Sequence, residues 1–212
     1  MAGRLRTPQA IYRAALAENP DPSGADRVFD LPPDPVWTAP ARLRAPGHFL
    51  SNTYLRQLDR ADWAFVDPRL QYWAALFQEY ARKRGVPLYV HSALRDKATQ
   101  EKAFSEGRSK AIYGRSAHNI GEAVDIVHGV YHWNLTENEW RVIHMLGMAA
   151  LDRVNAQLPK DRKLRLTWGG EFKSLYDPAH WEIMDYRQRL RPMPKTETIR
   201  RTPRWILRHK KP

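Results

Sequence analysis

Asp125 is the first residue whose placement asks for a chemical explanation. It interrupts the apolar run Ala123-Val124-Asp125-Ile126-Val127, where a carboxylate is costly unless it is paired or bound to a metal. Seven residues upstream stands His118, within Ser116-Ala117-His118-Asn119-Ile120-Gly121. A loop entering a strand can bring a histidine and a carboxylate at that spacing onto one ion, with Gly121 letting the backbone turn between them. Two protein ligands are one short of an open catalytic zinc site, which keeps three and a water. His180 is the natural third, in Tyr176-Asp177-Pro178-Ala179-His180-Trp181-Glu182. Asp177 can approach the same ion without ligating it and take a proton from water as general base. Glu182 is its rival. On a strand, residues 180 and 182 share a face, which makes Glu182 a neighbour or supporting partner of the ligand. His128 and His132 also have ligand-like spacing, but no Glu follows His128 and their segment reads as an exposed loop.

These residues need elements to hold them. Leu70, Trp73, Leu76, Phe77 and Tyr80 recur at three- and four-residue spacing, so Arg69 to Arg84 is expected to be a core-facing helix ended by Gly85. Pro87 to Ala93 reads as a strand, and Asp96 to Glu106 as a second helix capped by Asp96. Residues 107–121, rich in Gly and Ser, are expected to form a loop leading to the short strand 123–127. Thr136-Glu137-Asn138-Glu139 has the form of a capping box and opens a long helix to Gln157. Leu164 to Trp168 and His180 to Met184 read as strands around a Gly169-Gly170 turn. Strands mixed with helices, without regular alternation, imply an α+β fold. The expectation is a small antiparallel sheet flanked by helices and carrying one zinc site.

Composition sets the boundaries. The 212 residues are 42% hydrophobic and include eight Trp, enough apolar area for one well-buried core. The absence of cysteine excludes disulfide scaffolds, thiolate metal sites and cysteine nucleophiles. Eight of the 16 prolines fall in residues 1–46, which read as an extended, surface-wrapping arm with room for a short helix near Pro8 to Ala17. Residues 47–185 are then the folded domain. Residues 186–212 form a tail with ten basic side chains against Glu197, a charge of +9 within the chain's +12. Such a tail is expected to draw the protein to an anionic surface, a wall polymer or lipid headgroups, with Trp205-Ile206-Leu207 able to insert at an interface. Specific nucleic-acid binding is not expected. No apolar run is long enough to span a membrane, the first 20 residues lack the apolar stretch of a secretory signal, and a monomer is expected.

The chemistry-bearing residues resemble a known family, the zinc D-alanyl-D-alanine carboxypeptidases and L-alanyl-D-glutamate endopeptidases, which cut the peptide stems of bacterial peptidoglycan. The pattern Ser-x-His-x-x-Gly-x-Ala-x-Asp matches Ser116 to Asp125 at every fixed position, and Asp177-x-x-His180 supplies the downstream motif. The resemblance covers about residues 85–185 and takes in Ser92-Ala93-Leu94-Arg95, Gln100 and Gly107-Arg108-Ser109. It implies that His118, Asp125 and His180 bind Zn2+, with Asp177 as general base. It also implies that Arg95 is catalytic, holding the oxyanion and contacting substrate, and that Ser116 and Gln100 bind substrate. Two positions depart from the pattern: Ala93 where many relatives have Gly, and Glu171 where others have Asp. Neither removes a ligand.

The Gly-Arg-Ser segment and the Trp168-Gly169-Gly170 turn are more similar to the L-alanyl-D-glutamate endopeptidases of phage lysins than to the dipeptidases. The implied function is hydrolysis of the L-alanyl-D-glutamate bond by a phage-type lysin. Such a protein is made in the cytoplasm and reaches the wall after pore release or delivery from a virion. A D-alanyl-D-alanine carboxypeptidase is the alternative within the enzyme class. A non-catalytic zinc-fold virion protein, holding nucleic acid or a surface through its tail, is the alternative outside it.

Overall fold

The computed structural model describes residues 38–173 and 175–190. The arm up to residue 37, including the helix expected near Pro8 to Ala17, and the tail from residue 191 lie outside them. Four α-helices and a four-stranded sheet make up the regular structure among the described residues. They are α1 (Asn52–Leu58), α2 (Pro68–Lys83), β1 (Leu88–Ser92), α3 (Lys97–Ser105), β2 (Ala123–His128), α4 (Glu137–Asn155), β3 (Leu166–Trp168) and β4 (His180–Ile183). The fold is α+β, as the mixed pattern implies. The sheet is antiparallel throughout, in the order β1-β2-β4-β3.

Local signals act as the sequence suggests. Pro68 at the start of α2 and the Asp67 carboxylate, which accepts from Arg69 N–H at 2.8 Å, set that helix's first turn. Asp96 caps α3 by accepting from Thr99 N–H at 2.8 Å. Thr136 and Glu139 close the capping box of α4, and the Arg42 guanidinium bonds Glu139 from outside. Helices α2 and α4 cross over one face of the sheet. There Trp73, Phe77 and Trp181 form an aromatic cluster, with the Trp73 and Trp181 centroids 5.0 Å apart. Trp73 Nε1 donates to the Gly147 carbonyl at 2.9 Å, so the buried indole leaves no orphaned donor.

The folded body extends past both expected boundaries. Ala39 and Leu43 are buried in the core, and Ala45 N–H donates to the Gly85 carbonyl at 2.8 Å. Residues 39–46 therefore belong to the folded body. At the other end Tyr186 is buried and Arg189 pairs with Glu122 at 2.6 Å. His128 corrects a second expectation. It is fully buried at the end of β2, where its Nδ1 accepts two backbone N–H groups and its Nε2 donates to the Leu43 carbonyl at 3.0 Å. It holds the N-terminal segment to the sheet, whereas His132 is exposed as expected. No helix among the described residues is long and apolar enough to cross a membrane.

Candidate metal centre

Asp125 sits in the middle of β2, directly opposite His180 on β4 and Ser92 on β1. An irregularity in the β1 ladder between Val90 and Ser92 sets the latter pairing. His118 arrives from a short 3₁₀ helix, Ala117–Ile120, that ends at Gly121. Gly121 adopts φ 69°, and a Cβ there would collide with the Phe65 carbonyl. Only glycine therefore lets the histidine loop turn into β2.

The three side chains meet at one point. Asp125 Oδ1 lies 3.1 Å from His118 Nε2 and 3.0 Å from His180 Nδ1, and the two ring nitrogens are 3.2 Å apart. Ligands at zinc bond lengths in a tetrahedral shell stand about 3.3 Å from one another. Among the described residues this is the one trio of His, Asp or Glu side chains with such convergence. The outer bonds fix how the rings present themselves. His118 Nδ1 lies 2.7 Å from the Ala93 carbonyl, which only accepts, so that nitrogen carries the proton and Nε2 turns a lone pair inward. His180 Nε2 lies 3.1 Å from the Glu182 carboxylate, which leaves Nδ1 as the inward donor atom. Two imidazole lone pairs and a carboxylate oxygen facing one point repel each other unless a cation or a proton lies between them. The donor set fits a divalent ion with affinity for nitrogen and oxygen, and the histidine–carboxylate arrangement at His180 is one that metal sites use to orient a ligand.

Electrostatics agree with that reading. Burial pushes His118 below its ordinary pKa. Burial alone would raise the Asp125 carboxyl, yet His118 and Arg95 hold it well below the usual carboxylate range. Burial would lower His180, but hydrogen bonds to Asp125 and Glu182 lift it to about 9. Asp177 is raised, first by burial and then by the Asp125 charge, and it feels His180 and Arg95 as well. It stands beside the centre without joining the convergent trio. Its position depends on Gly169, whose carbonyl accepts from Asp177 N–H at 3.1 Å and where a Cβ would strike the Asp177 carbonyl.

The remaining expected site residues have other partners. The Arg95 guanidinium bonds Asp125 Oδ2, and its Nε donates to Ser92 Oγ at 2.8 Å. It is engaged with the Asp125 carboxylate. Ser116 is buried as the cap of the 3₁₀ helix, its Oγ accepting from His118 N–H at 3.3 Å. Gln100 is fully buried and donates to Ser109 Oγ and the Ala111 carbonyl, at 2.9 and 2.7 Å. Both therefore support loops, Ser116 the histidine loop and Gln100 the loop at 109–111, rather than facing solvent. Glu182 takes the supporting place beside His180 that a shared strand face allows. Two supports went unread in the sequence. The Ala93 carbonyl has no signal, because every residue carries one. Asn119 bonds the Arg95 carbonyl at 3.0 Å and the Gly114 N–H at 2.9 Å, and its place in the motif is a variable one.

Residues 110–183 match the family model described as D-alanyl-D-alanine carboxypeptidase. That stretch includes His118, Asp125, Asp177 and His180. Among solved structures, the Serratia marcescens L-Ala D-Glu endopeptidase ChiX is similar at 26% sequence identity, covering 62% of this chain and 94% of that one with a TM-score of 0.46.

Proposed function

We propose that the protein, whose residues 110–183 match the D-alanyl-D-alanine carboxypeptidase family model over the segment that holds the convergent trio, is a zinc metallopeptidase of bacterial peptidoglycan stems, cutting the L-alanyl-D-glutamate bond. The observation that carries the zinc reading is the meeting of His118 Nε2, Asp125 Oδ1 and His180 Nδ1 within 3.2 Å of one another. Bound there, zinc supplies Lewis-acid polarisation of the scissile carbonyl and makes water nucleophilic at neutral pH.

The chain's own residues divide the rest of the work. Asp177, its carboxyl raised above the ordinary carboxylate value by burial and by the Asp125 charge, accepts the proton of the attacking water and returns it to the leaving amine. The carbonyl carbon gains the water oxygen, the C–N bond breaks, and the products are a carboxylate and an amine, with no covalent enzyme intermediate. Arg95 acts first as a positioning residue, holding Asp125 ionised and aimed. Its reach to an oxyanion requires it to release that carboxylate. Glu182 holds the His180 ring, and Ser116 with Asn119 holds the turn that presents His118.

The choice of bond rests on the resemblance of Gly107-Arg108-Ser109 and Trp168-Gly169-Gly170 to the corresponding segments of phage-lysin endopeptidases. The lysin setting, with action at the wall after release from the cytoplasm, rests on the same segments and on the basic end of the chain. Digestion of purified peptidoglycan, with fragments identified by mass spectrometry, tests the proposal. New L-alanine C-termini and D-glutamate N-termini are expected, and Asp177→Ala should abolish them. Loss of terminal D-alanine alone would reassign the protein to the carboxypeptidases. An unchanged wall with zinc bound would overturn the lytic reading.

A further inference from the structure

Helix α4 buries one side and leaves an ordered stripe on the other. Trp140, Ile143, Leu146, Ala150 and Val154 are buried. Arg141, Met145, Met148 and Asp152 are all exposed, Met145 to 59% and Met148 to 37%. Their spacing of four, three and four residues is that of a seam between two packed helices. Ala149 and Ala156, exposed beside it, are small enough to let another backbone approach closely. Met145 also lines a cleft of about 440 Å³ together with Trp168 and the half-exposed Tyr176, so the apolar surface continues sideways past the helix. Two flexible thioethers at the centre of such a stripe suit a surface that packs against a partner.

The charges at its two ends say what kind of partner. Read along the helix, the stripe runs positive, apolar, apolar, negative, an order that is complementary to its own reverse. When an identical helix lies antiparallel across it about a two-fold axis, the register that sets Met145 opposite the second copy's Met148 also sets Arg141 opposite the second copy's Asp152. Symmetry repeats both contacts, as a self-complementary two-fold interface requires. A parallel pairing in register would set Arg141 against Arg141 and Asp152 against Asp152. Opposed helix dipoles favour the antiparallel arrangement as well. The Asp152 carboxylate has no ion-pair partner among the described residues. Arg141 holds Glu137 at 2.6 Å through an exposed pair one turn away, a contact of small worth that leaves most of its N–H donors available.

We infer that this face of α4 is the interface of a homodimer, two copies packed helix to helix in that antiparallel register. It differs from the monomer expected from the sequence. His180 and Asp125 lie on the side of the sheet away from α2 and α4, so the contact leaves both metal centres uncovered. Sedimentation equilibrium of the full chain over about 1–100 μM, a range suited to a small interface, should show a monomer–dimer equilibrium. Met148→Glu should leave a monomer throughout. Asp152→Arg should weaken association about tenfold, because the two-fold axis turns one reversal into two like-charged contacts. Arg141→Asp should act the same way. The double reversal, Arg141→Asp with Asp152→Arg, restores both pairs and should return association to within about threefold of the unmodified chain. All these side chains are exposed, so thermal melts at the lowest concentration should stay unchanged. A monomer at every concentration would give the stripe to another occupant and overturn the inference. A dimer that survives Met148→Glu would place the interface elsewhere, and a double reversal no better than the single ones would overturn the register.

Discussion

The two faces of β4 meet opposite demands. Trp181 turns toward α2 and α4, where it touches Trp73 and Phe77 and pairs across the sheet with Val124 and Trp168. His180 and Glu182, its immediate neighbours, turn to the other side, where they meet Asp125 and His118. The helix side gains free energy from area and close packing, so any well-fitting apolar residue serves. The other side gathers two imidazoles, three carboxylates and a guanidinium at one place. Opposite charges and hydrogen bonds among these groups offset part of the cost of gathering them. The first face makes the fold, and the second is a cost the fold bears because of what it can bind.

That division predicts opposite outcomes for substitutions a few residues apart. Asp125→Ala is expected to have the largest effect. It removes a ligand and leaves the Arg95 guanidinium without its carboxylate, so zinc content should fall to background. Peptidase activity should drop by at least about 10³-fold, more than the loss of a single transition-state donor costs. A metal assay beside an activity assay checks this, and a zinc-replete, active Asp125→Ala protein would break the site assignment. Trp181→Ala comes next. It opens a cavity in the aromatic cluster and should destabilise the protein by about 3–5 kcal/mol, while the protein that remains folded keeps its zinc. A thermal melt paired with a metal assay separates the two. Loss of zinc at temperatures where the Trp181→Ala protein is folded would show that the faces are not independent.

The same contrast explains what could be read in the sequence. The helix side was legible by period: Leu70, Trp73, Leu76 and Phe77 mark α2, and the capping signals at Asp96 and Thr136 place α3 and α4 within a residue or two. The site side was legible by chemical oddity, a carboxylate in an apolar strand with histidines at workable distances. Helix α1 escaped because seven residues with few apolar side chains carry too little periodic signal. His128 looked exposed because a histidine near a loop resembles a surface residue. Its burial depends on the carbonyl of Leu43, 85 positions earlier in the chain. Ser116 and Gln100, read in the sequence for substrate roles, bond within their own loops, contacts that the sequence pattern does not carry. A polar side chain names the bonds it can make, and tertiary structure decides whether the partner is a ligand or its own backbone.

Glu182→Gln probes the seam between the faces. Its carboxylate pairs with His180 and makes no contact with the trio's shared point, so the expected effect is a 10- to 100-fold weaker zinc affinity with little change in the melt. Competition against a chelating dye measures the affinity. An unchanged value would mean that the strand positions His180 by itself, and complete loss would promote Glu182 to a ligand.

The smallest effect is a slope. With no ion bound, the His180 proton is held to about pH 9 by Asp125 and Glu182, and a cation entering at Nδ1 must displace it. Zinc affinity should therefore rise as pH rises, by up to about tenfold per unit, and should flatten as pH approaches 9. His118, pushed below its ordinary value by burial, is already neutral above pH 7 and adds no second proton to the slope there. Between pH 7 and 8 the apparent association constant should thus track one released proton, which proton-release calorimetry in two buffers of different ionisation enthalpy counts directly. In Glu182→Gln one of the carboxylates sustaining that proton is gone, so the flattening should begin at lower pH. A pH-independent affinity would mean that His180 is neutral without the ion, and that the trio's lone pairs are kept apart by something other than a proton.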